Sequence, residues 1–266
     1  MPARHDPVFR KRLLSALILG PLAFLLLWYG ELAFTAWVAA FAAAMAWEWI
    51  QMSDRDAPPV AYAIACATAS GAVLLAGQTS IADAVIWGAL GTLGSGIERW
   101  RRGWSIEILG VLYVSLSAAL LAAMRAQEPN GLAAVIVLFS IVWAADSFAY
   151  LVGTWIGGPK LVPQASPNKT WSGFLAGLAA GMAAGWAAGM IFGLDPVMVL
   201  VFGLLVGAAA IAGDLAMSLF KRGFGVKDSG TLIPGHGGVL DRVDALMLAV
   251  IISVIAQRFI DLGWGA

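Results

Sequence analysis

Three aspartates, Asp214, Asp241 and Asp244, lie in or at the edges of apolar runs in the C-terminal third of the chain. They are joined by the stretch KRGFGVKDSGTLIPGHGGVLDRVD, Lys221 to Asp244. On a helix, Asp214, Ser218 and Lys221 fall at i, i+4 and i+7 and share a face, and Asp241 and Asp244 at i and i+3 share another. A loop between two such helices can bring the three carboxylates together. Three carboxylates in a low-dielectric site repel and partly neutralise unless a cation stands between them. Oxygen-only ligands favour Mg²⁺, which takes one or two carboxylates plus substrate phosphates. The alternative is that each aspartate pairs with a nearby base such as Arg222 or Arg242.

The loop itself is built for anions. PGHGGVLDR places glycines and a proline around His236. Glycine lets backbone approach a ligand closely, and N–H groups in such a turn or at a helix N-terminus can hold phosphate oxygens. Lys221, Arg222, Lys227 and Arg242 supply positive charge. Gly237 and Gly238 are the candidate backbone contacts. His236 could bind phosphate, assist proton transfer or cap a helix. A second polar loop, GTWIGGPKLVPQASPNKTWSG, carries Lys160 and Lys169 with the donors Ser166, Asn168 and Thr170. Thr170 or Ser172 could instead cap the helix that follows. No P-loop or dinucleotide fingerprint is present.

The elements that must position these residues are membrane helices. The chain is 61% hydrophobic and 12% charged, against roughly 45–50% and about 25% in soluble domains. Runs near 13–29, 32–51, 60–77, 81–97, 106–124, 131–153, 171–193, 197–219 and 239–260 approach the length of about 20 residues that a span requires. The expected fold is therefore an all-α polytopic membrane protein with about nine transmembrane helices. Of the 16 Lys and Arg residues, all but Arg125 and Arg258 then fall on one side. The positive-inside rule makes that side, with the N-terminus and the loops at 98–105, 154–170 and 220–238, cytoplasmic. The first run is expected to be an uncleaved helix rather than a signal peptide.

Two regions are expected. Residues 1–125 hold few charges within their spans, whereas residues 126–266 hold the acids and both polar loops. An acid inside a span reads as functional. Asp146 is the lone ionisable residue of the sixth span, in VWAADSFAYLVG, and Glu48 stands in the second between Trp47 and Trp49. In the seventh, Gly173, Gly177, Gly181, Gly185 and Gly189 form a ridge at i+4 spacing, read as close helix packing within or between subunits. The single cysteine, Cys66, is expected to serve packing.

SLFKRGFGVKDSGTLIPGHGGVLDRVD closely resembles the signature of the phosphatidate cytidylyltransferase, or CDP-diacylglycerol synthase, family. The matching positions are Ser218, Lys221, Arg222, Lys227, Asp228, Gly230, Pro234, His236, Gly237, Gly238, Asp241, Arg242 and Asp244. DSFAYLVG and SPNKTW resemble further motifs of that family, although Ser172 stands where the family commonly has Glu or Gln. The resemblance covers residues 143–250 well; upstream it rests on hydropathy and on WEW around Glu48. It implies that CTP and phosphatidate give CDP-diacylglycerol and pyrophosphate, the lipid phosphate attacking the α-phosphorus of CTP. Such transfer is mostly positioning and charge neutralisation, so no side-chain nucleophile is needed.

Asp214, Lys221, Arg222, Lys227, Asp228, His236, Asp241, Arg242 and Asp244 are then the catalytic set. Asp146, Ser166, Lys169, Thr170, Ser218, Gly237 and Gly238 bind substrate, and Asp214, Asp241 and Asp244 hold Mg²⁺, with a second metal ion left open. The partners are CTP, phosphatidate and membrane lipid, and no nucleic acid; a homodimer is a family expectation that the glycine ridge accommodates. The expected location is the inner membrane, with the site facing the cytoplasm. Two other classes fit parts of the pattern. An ion transporter would explain intramembrane aspartates but would place them at mid-membrane. A CTP-dependent lipid kinase would share the nucleotide site and phosphorylate an alcohol. The acid-rich motif of the CDP-alcohol phosphotransferases is absent.

Overall fold

A computed structural model describes residue 18, residues 20–99 and 105–233, Gly235, and residues 237–264. The basic N-terminal residues, the start of the first expected span, Arg101, Arg102, Pro234 and His236 lie outside the described residues. These form nine helices and no β-strand. They are α1 (Gly20–Tyr29), α2 (Glu31–Ser53), α3 (Pro59–Gln78), α4 (Ile81–Arg99), α5 (Ser105–Arg125), α6 (Gly131–Ile156), α7 (Trp171–Ile191), α8 (Pro196–Gly223) and α9 (Leu240–Ala256).

Six of them, α2, α3, α5, α6, α7 and α8, are long and apolar enough to cross a membrane, which makes this a multi-pass helical membrane protein. Among the described residues, α1, α9 and the apolar stretch Ile81–Gly94 of α4 are shorter. Sequence signals set several helix ends. Asp195 caps α8, its carboxylate accepting from the N–H groups of Val197 and Met198 at 2.9 and 2.8 Å, with Pro196 at the first helical position. Gly157, at φ 68°, closes α6.

The chain divides into two compact units. The first holds the residues up to Ala126 together with Val226–Arg242; the second holds Gln127–Gly225 and Val243 onward. In the first, α2 packs on α3 and α5, and α3 on α4 and α5. Cys66 is half-buried there, its thiol donating to the Ala43 carbonyl at 3.3 Å, which fits the packing role expected of it. In the second, α6 packs along α7, and both pack on α8. The glycine ridge of α7 makes that closeness possible. A Cβ on Gly177 would lie 2.7 Å from the Ala145 carbonyl oxygen, and one on Gly185 would lie 2.7 Å from Ile141. The ridge therefore packs within the chain.

α8 is 28 residues long, about 42 Å at 1.5 Å per residue. A bilayer core is about 30 Å thick. The last turns of α8, with Ser218, Lys221 and Arg222, thus run on past a span counted from Pro196.

Candidate active site

The signature loop belongs to the first unit and is shaped by two carboxylates. Asp241 reaches back from the first turn of α9. Its oxygens accept from the Ser229 N–H at 2.9 and 3.1 Å and from the Gly238 N–H at 3.1 Å. Glu48, in α2, is fully buried. It accepts from the N–H groups of Val239 and Leu240, both at 2.9 Å, and from the Ser229 hydroxyl at 3.1 Å. These amides open α9, where N–H groups lack intrahelical partners, and a negative charge there also complements the helix dipole. Between the two anchored ends, Ile233 donates to the Gly237 carbonyl at 2.9 Å, with Gly235 and Gly237 at positive φ. Lys227, Asp228 and Arg242 are exposed.

Gly238 shows why this turn needs glycine. A Cβ there would lie 2.7 Å from Glu48 Oε2 and would collide with the Ser229 hydroxyl. The Gly238 N–H, a candidate phosphate donor by sequence, points to Asp241 instead. Glu48 is the residue whose role the sequence left unassigned. The available signal was a lone acid in an apolar helix; its partners, 181 to 192 positions away, were not readable from spacing.

In the second unit the carboxylates meet cations. Lys169 donates to Asp214 Oδ2. Lys221 Nζ lies 3.6 Å from Asp244 Oδ2. The Ser218 hydroxyl donates to Asp214 at 3.4 Å, as the shared helix face requires. α8 and α9 approach closely here, since a Cβ on Gly213 would stand 3.0 Å from the Asp244 carbonyl oxygen. Asp214 is a like-charged neighbour of Asp244, with Lys221 and Lys169 as the compensating charges. Pairing with bases thus occurs, through Lys169 and Lys221.

Lys169 and Asp214 line a cavity of about 650 Å³ in this unit, with Asp146 and Tyr150 from α6 and Lys160, Ser166, Asn168 and Thr170 from the second polar loop. That loop folds back on itself. Lys160 and Thr170 form an antiparallel bridge, and Leu161 donates to the Lys169 carbonyl at 2.9 Å. Thr170 both lines the cavity and caps α7, its hydroxyl accepting from the Gly173 N–H at 3.2 Å. Ser172 donates to the Gly157 carbonyl. Asp146 is exposed at the cavity wall, and Arg222 is exposed near the end of α8.

Among the described residues, no group of three or more His, Cys, Asp or Glu side chains is arranged to hold a metal ion. Within the second unit, the neighbouring carboxylates Asp214 and Asp244 suit a cation that takes one or two carboxylates and fills its remaining positions with phosphate and water oxygens.

A multi-pass membrane protein whose largely apolar cavity carries lysine and aspartate side chains on its wall defines a class that handles charged groups beside lipid. The family model described as the cytidylyltransferase family matches residues 10–260. The phosphatidate cytidylyltransferase of Brucella abortus is 37% identical over 244 residues, covering 90% of this chain and 89% of its own length. That of Pseudomonas aeruginosa is 38% identical over 279 residues, covering 97% of this chain and all of its own. That of Rickettsia typhi is 35% identical over 149 residues, covering 53% of this chain and 65% of its own length. The chain belongs to the cytidylyltransferase family, together with these phosphatidate cytidylyltransferases.

Proposed function

We propose that the protein converts CTP and phosphatidate to CDP-diacylglycerol and pyrophosphate in phospholipid biosynthesis. The observation that carries this reading is the near full-length match to phosphatidate cytidylyltransferases. A phosphate oxygen of the lipid forms a bond to the α-phosphorus of CTP, the bond from that phosphorus to the bridging oxygen breaks, and pyrophosphate leaves with the electron pair. The phosphate is its own nucleophile, so the side chains have to bind, align and neutralise.

Lys160 and Lys169, on the cavity wall, supply positive charge for a phosphate group. Asp214 and Asp244 would hold Mg²⁺, which when bound offsets charge on the phosphates. Both oxygens of Asp241 accept backbone N–H groups, so we assign Asp241 to the shape of the loop and narrow the metal set to the other two. Lys227 and Arg242, exposed on the signature loop, are suited to meet the triphosphate. The protein is placed in the bacterial inner membrane with nine spans and both polar loops in the cytoplasm, a reading supported by the basic-residue distribution and by the bacterial relatives.

The assay is purified protein in detergent with labelled CTP and phosphatidate, with and without Mg²⁺. Labelled CDP-diacylglycerol and pyrophosphate are expected only with the metal. Phosphate transfer to a lipid alcohol would identify a kinase, and absence of any CTP turnover would return the transporter. Orientation is tested by introducing Gln164→Cys or Thr231→Cys in a Cys66→Ala background. Both positions are exposed in their loops and should label with an impermeant reagent from the cytoplasmic face alone.

A further inference from the structure

We propose that Glu48 is a positioning residue for this reaction, acting by clamping both ends of the signature loop onto α2; this rests on the proposed function. The clamp is visible in how the donors are shared. Ser229, before the loop, gives its hydroxyl proton to Glu48 and its N–H to Asp241. After the loop, Gly238 donates to Asp241, and Val239 and Leu240 donate to Glu48. Two carboxylates therefore hold five donors from two short segments, and of the two it is Glu48 that ties those segments to α2. The fit is close on every side, since a Cβ on Gly230 would lie 2.7 Å from Glu48 Oε1.

The position of the carboxylate is costly and specific. A fully buried carboxylate is tolerated when it is compensated by hydrogen bonds, and here the compensation comes from the loop and the start of α9. Their geometry is thus coupled to Glu48. Lys227, Asp228, Asp241 and Arg242 all lie within Val226–Arg242, the segment that Glu48 fastens. Among the described residues, the Glu48 carboxylate accepts from Ser229, Val239 and Leu240. Its effect on turnover runs through where the loop residues stand, and displacement of a reacting array by about 1 Å can cost about 10²-fold.

The test uses the full-length protein in detergent with three variants. Glu48→Gln keeps the shape but turns one acceptor into a donor facing donors. Glu48→Asp keeps the charge and withdraws it by one methylene. Ser229→Ala removes only the hydroxyl arm of the clamp. Two measurements are made: kcat and KM for CTP, and amide hydrogen exchange at Val239 and Leu240.

The expected result for Glu48→Gln is a fall in kcat of at least about 10-fold that saturating CTP does not restore. Exchange should become faster at Val239 and Leu240 but not along α3. Glu48→Asp should recover part of both. In the Glu48→Gln background, Ser229→Ala should add little, because the hydroxyl acts through the same carboxylate. Faster exchange with wild-type kcat would make the clamp purely structural and overturn the proposal, as would unchanged exchange. If Glu48→Gln does not fold, Ser229→Ala decides: a lowered kcat at an unchanged melting temperature supports the clamp, and wild-type kcat overturns it. The exchange measurement does not depend on the reaction, so a wild-type protein that makes no CDP-diacylglycerol would sink the proposed function while still reporting on the clamp.

Discussion

The signature loop of the first unit and the cavity of the second use the same side-chain chemistry for opposite ends. In the loop, Glu48 and Asp241 face backbone N–H groups and a hydroxyl. In the cavity unit, Asp214 and Asp244 face Lys169 and Lys221. A carboxylate on backbone donors fixes a conformation, because its partners cannot move without unfolding the turn. A carboxylate on a lysine has a partner on a flexible stem that can be exchanged for a metal or can swing to a phosphate. The first arrangement suits shape and the second suits chemistry, although residue type alone does not separate them.

The sharpest way to break that contrast is to remove charge from the cavity unit. Asp214→Asn and Asp244→Asn keep size and lose charge and metal affinity. Each should lower activity by at least about 10²-fold, the scale of losing one preorganised electrostatic partner, and the Mg²⁺ requirement should move to higher concentration. The size-exclusion profile should stay that of the wild type, since Asn keeps the shape and the repulsion relieved between two like-charged neighbours offsets the lost charge on the lysine contact. Near-normal turnover with an unshifted Mg²⁺ dependence in a folded Asp244→Asn protein would show that this pair is no metal site.

A smaller effect, on stability instead of chemistry, is expected in the loop. Gly238→Ala pushes a methyl group against Glu48 and the Ser229 hydroxyl. Overpacking of that kind costs about 1–3 kcal/mol, which thermal denaturation in detergent would read as a lowered midpoint. Gly223→Ala, at the end of α8 with open space around its Cβ position, should shift stability by less than about 0.5 kcal/mol. Equal effects at the two glycines would mean that the closeness of Glu48 to the loop does not constrain it.

Much of this was legible in the sequence, for identifiable reasons. Helices of the second unit could be read because apolar runs end at real punctuation: Gly157 after α6, Thr170 before α7, and Asp195 with Pro196 before α8. The i, i+4 link between Asp214 and Ser218 is a property of one helix and needed no tertiary information. The partners of the acids did need it. Arg222 and Arg242 are the bases adjacent in sequence, yet the loop fold delivers Lys169 to Asp214 across 45 positions. Glu48 was visible as an anomaly in α2 but not as a cap, because its donors belong to backbone amides that any residue could provide. The same holds for Asp241: three carboxylates looked alike by spacing, and only the hydrogen bonds distinguish the one that organises the turn.

The smallest expected effect on catalysis bears on Lys227, which the comparison leaves on neither side. It is exposed, unlike Lys221, which is nearly buried beside Asp244. An exposed ammonium is strongly hydrated, and its contact with a phosphate is screened by water and salt. Exposed ion pairs are worth about 0.2–1 kcal/mol, so Lys227→Ala should raise KM for CTP by up to about fivefold. Contact with the triphosphate before and during reaction would be lost equally in both states, leaving kcat close to wild type. The effect should shrink further at high ionic strength, because screening already weakens the contact in the wild type. Steady-state kinetics against CTP at low and high salt would check both parts. A collapse of kcat at unchanged KM would instead place Lys227 against charge that develops only in the transition state, and the exposed loop would then belong with the chemistry rather than with recognition.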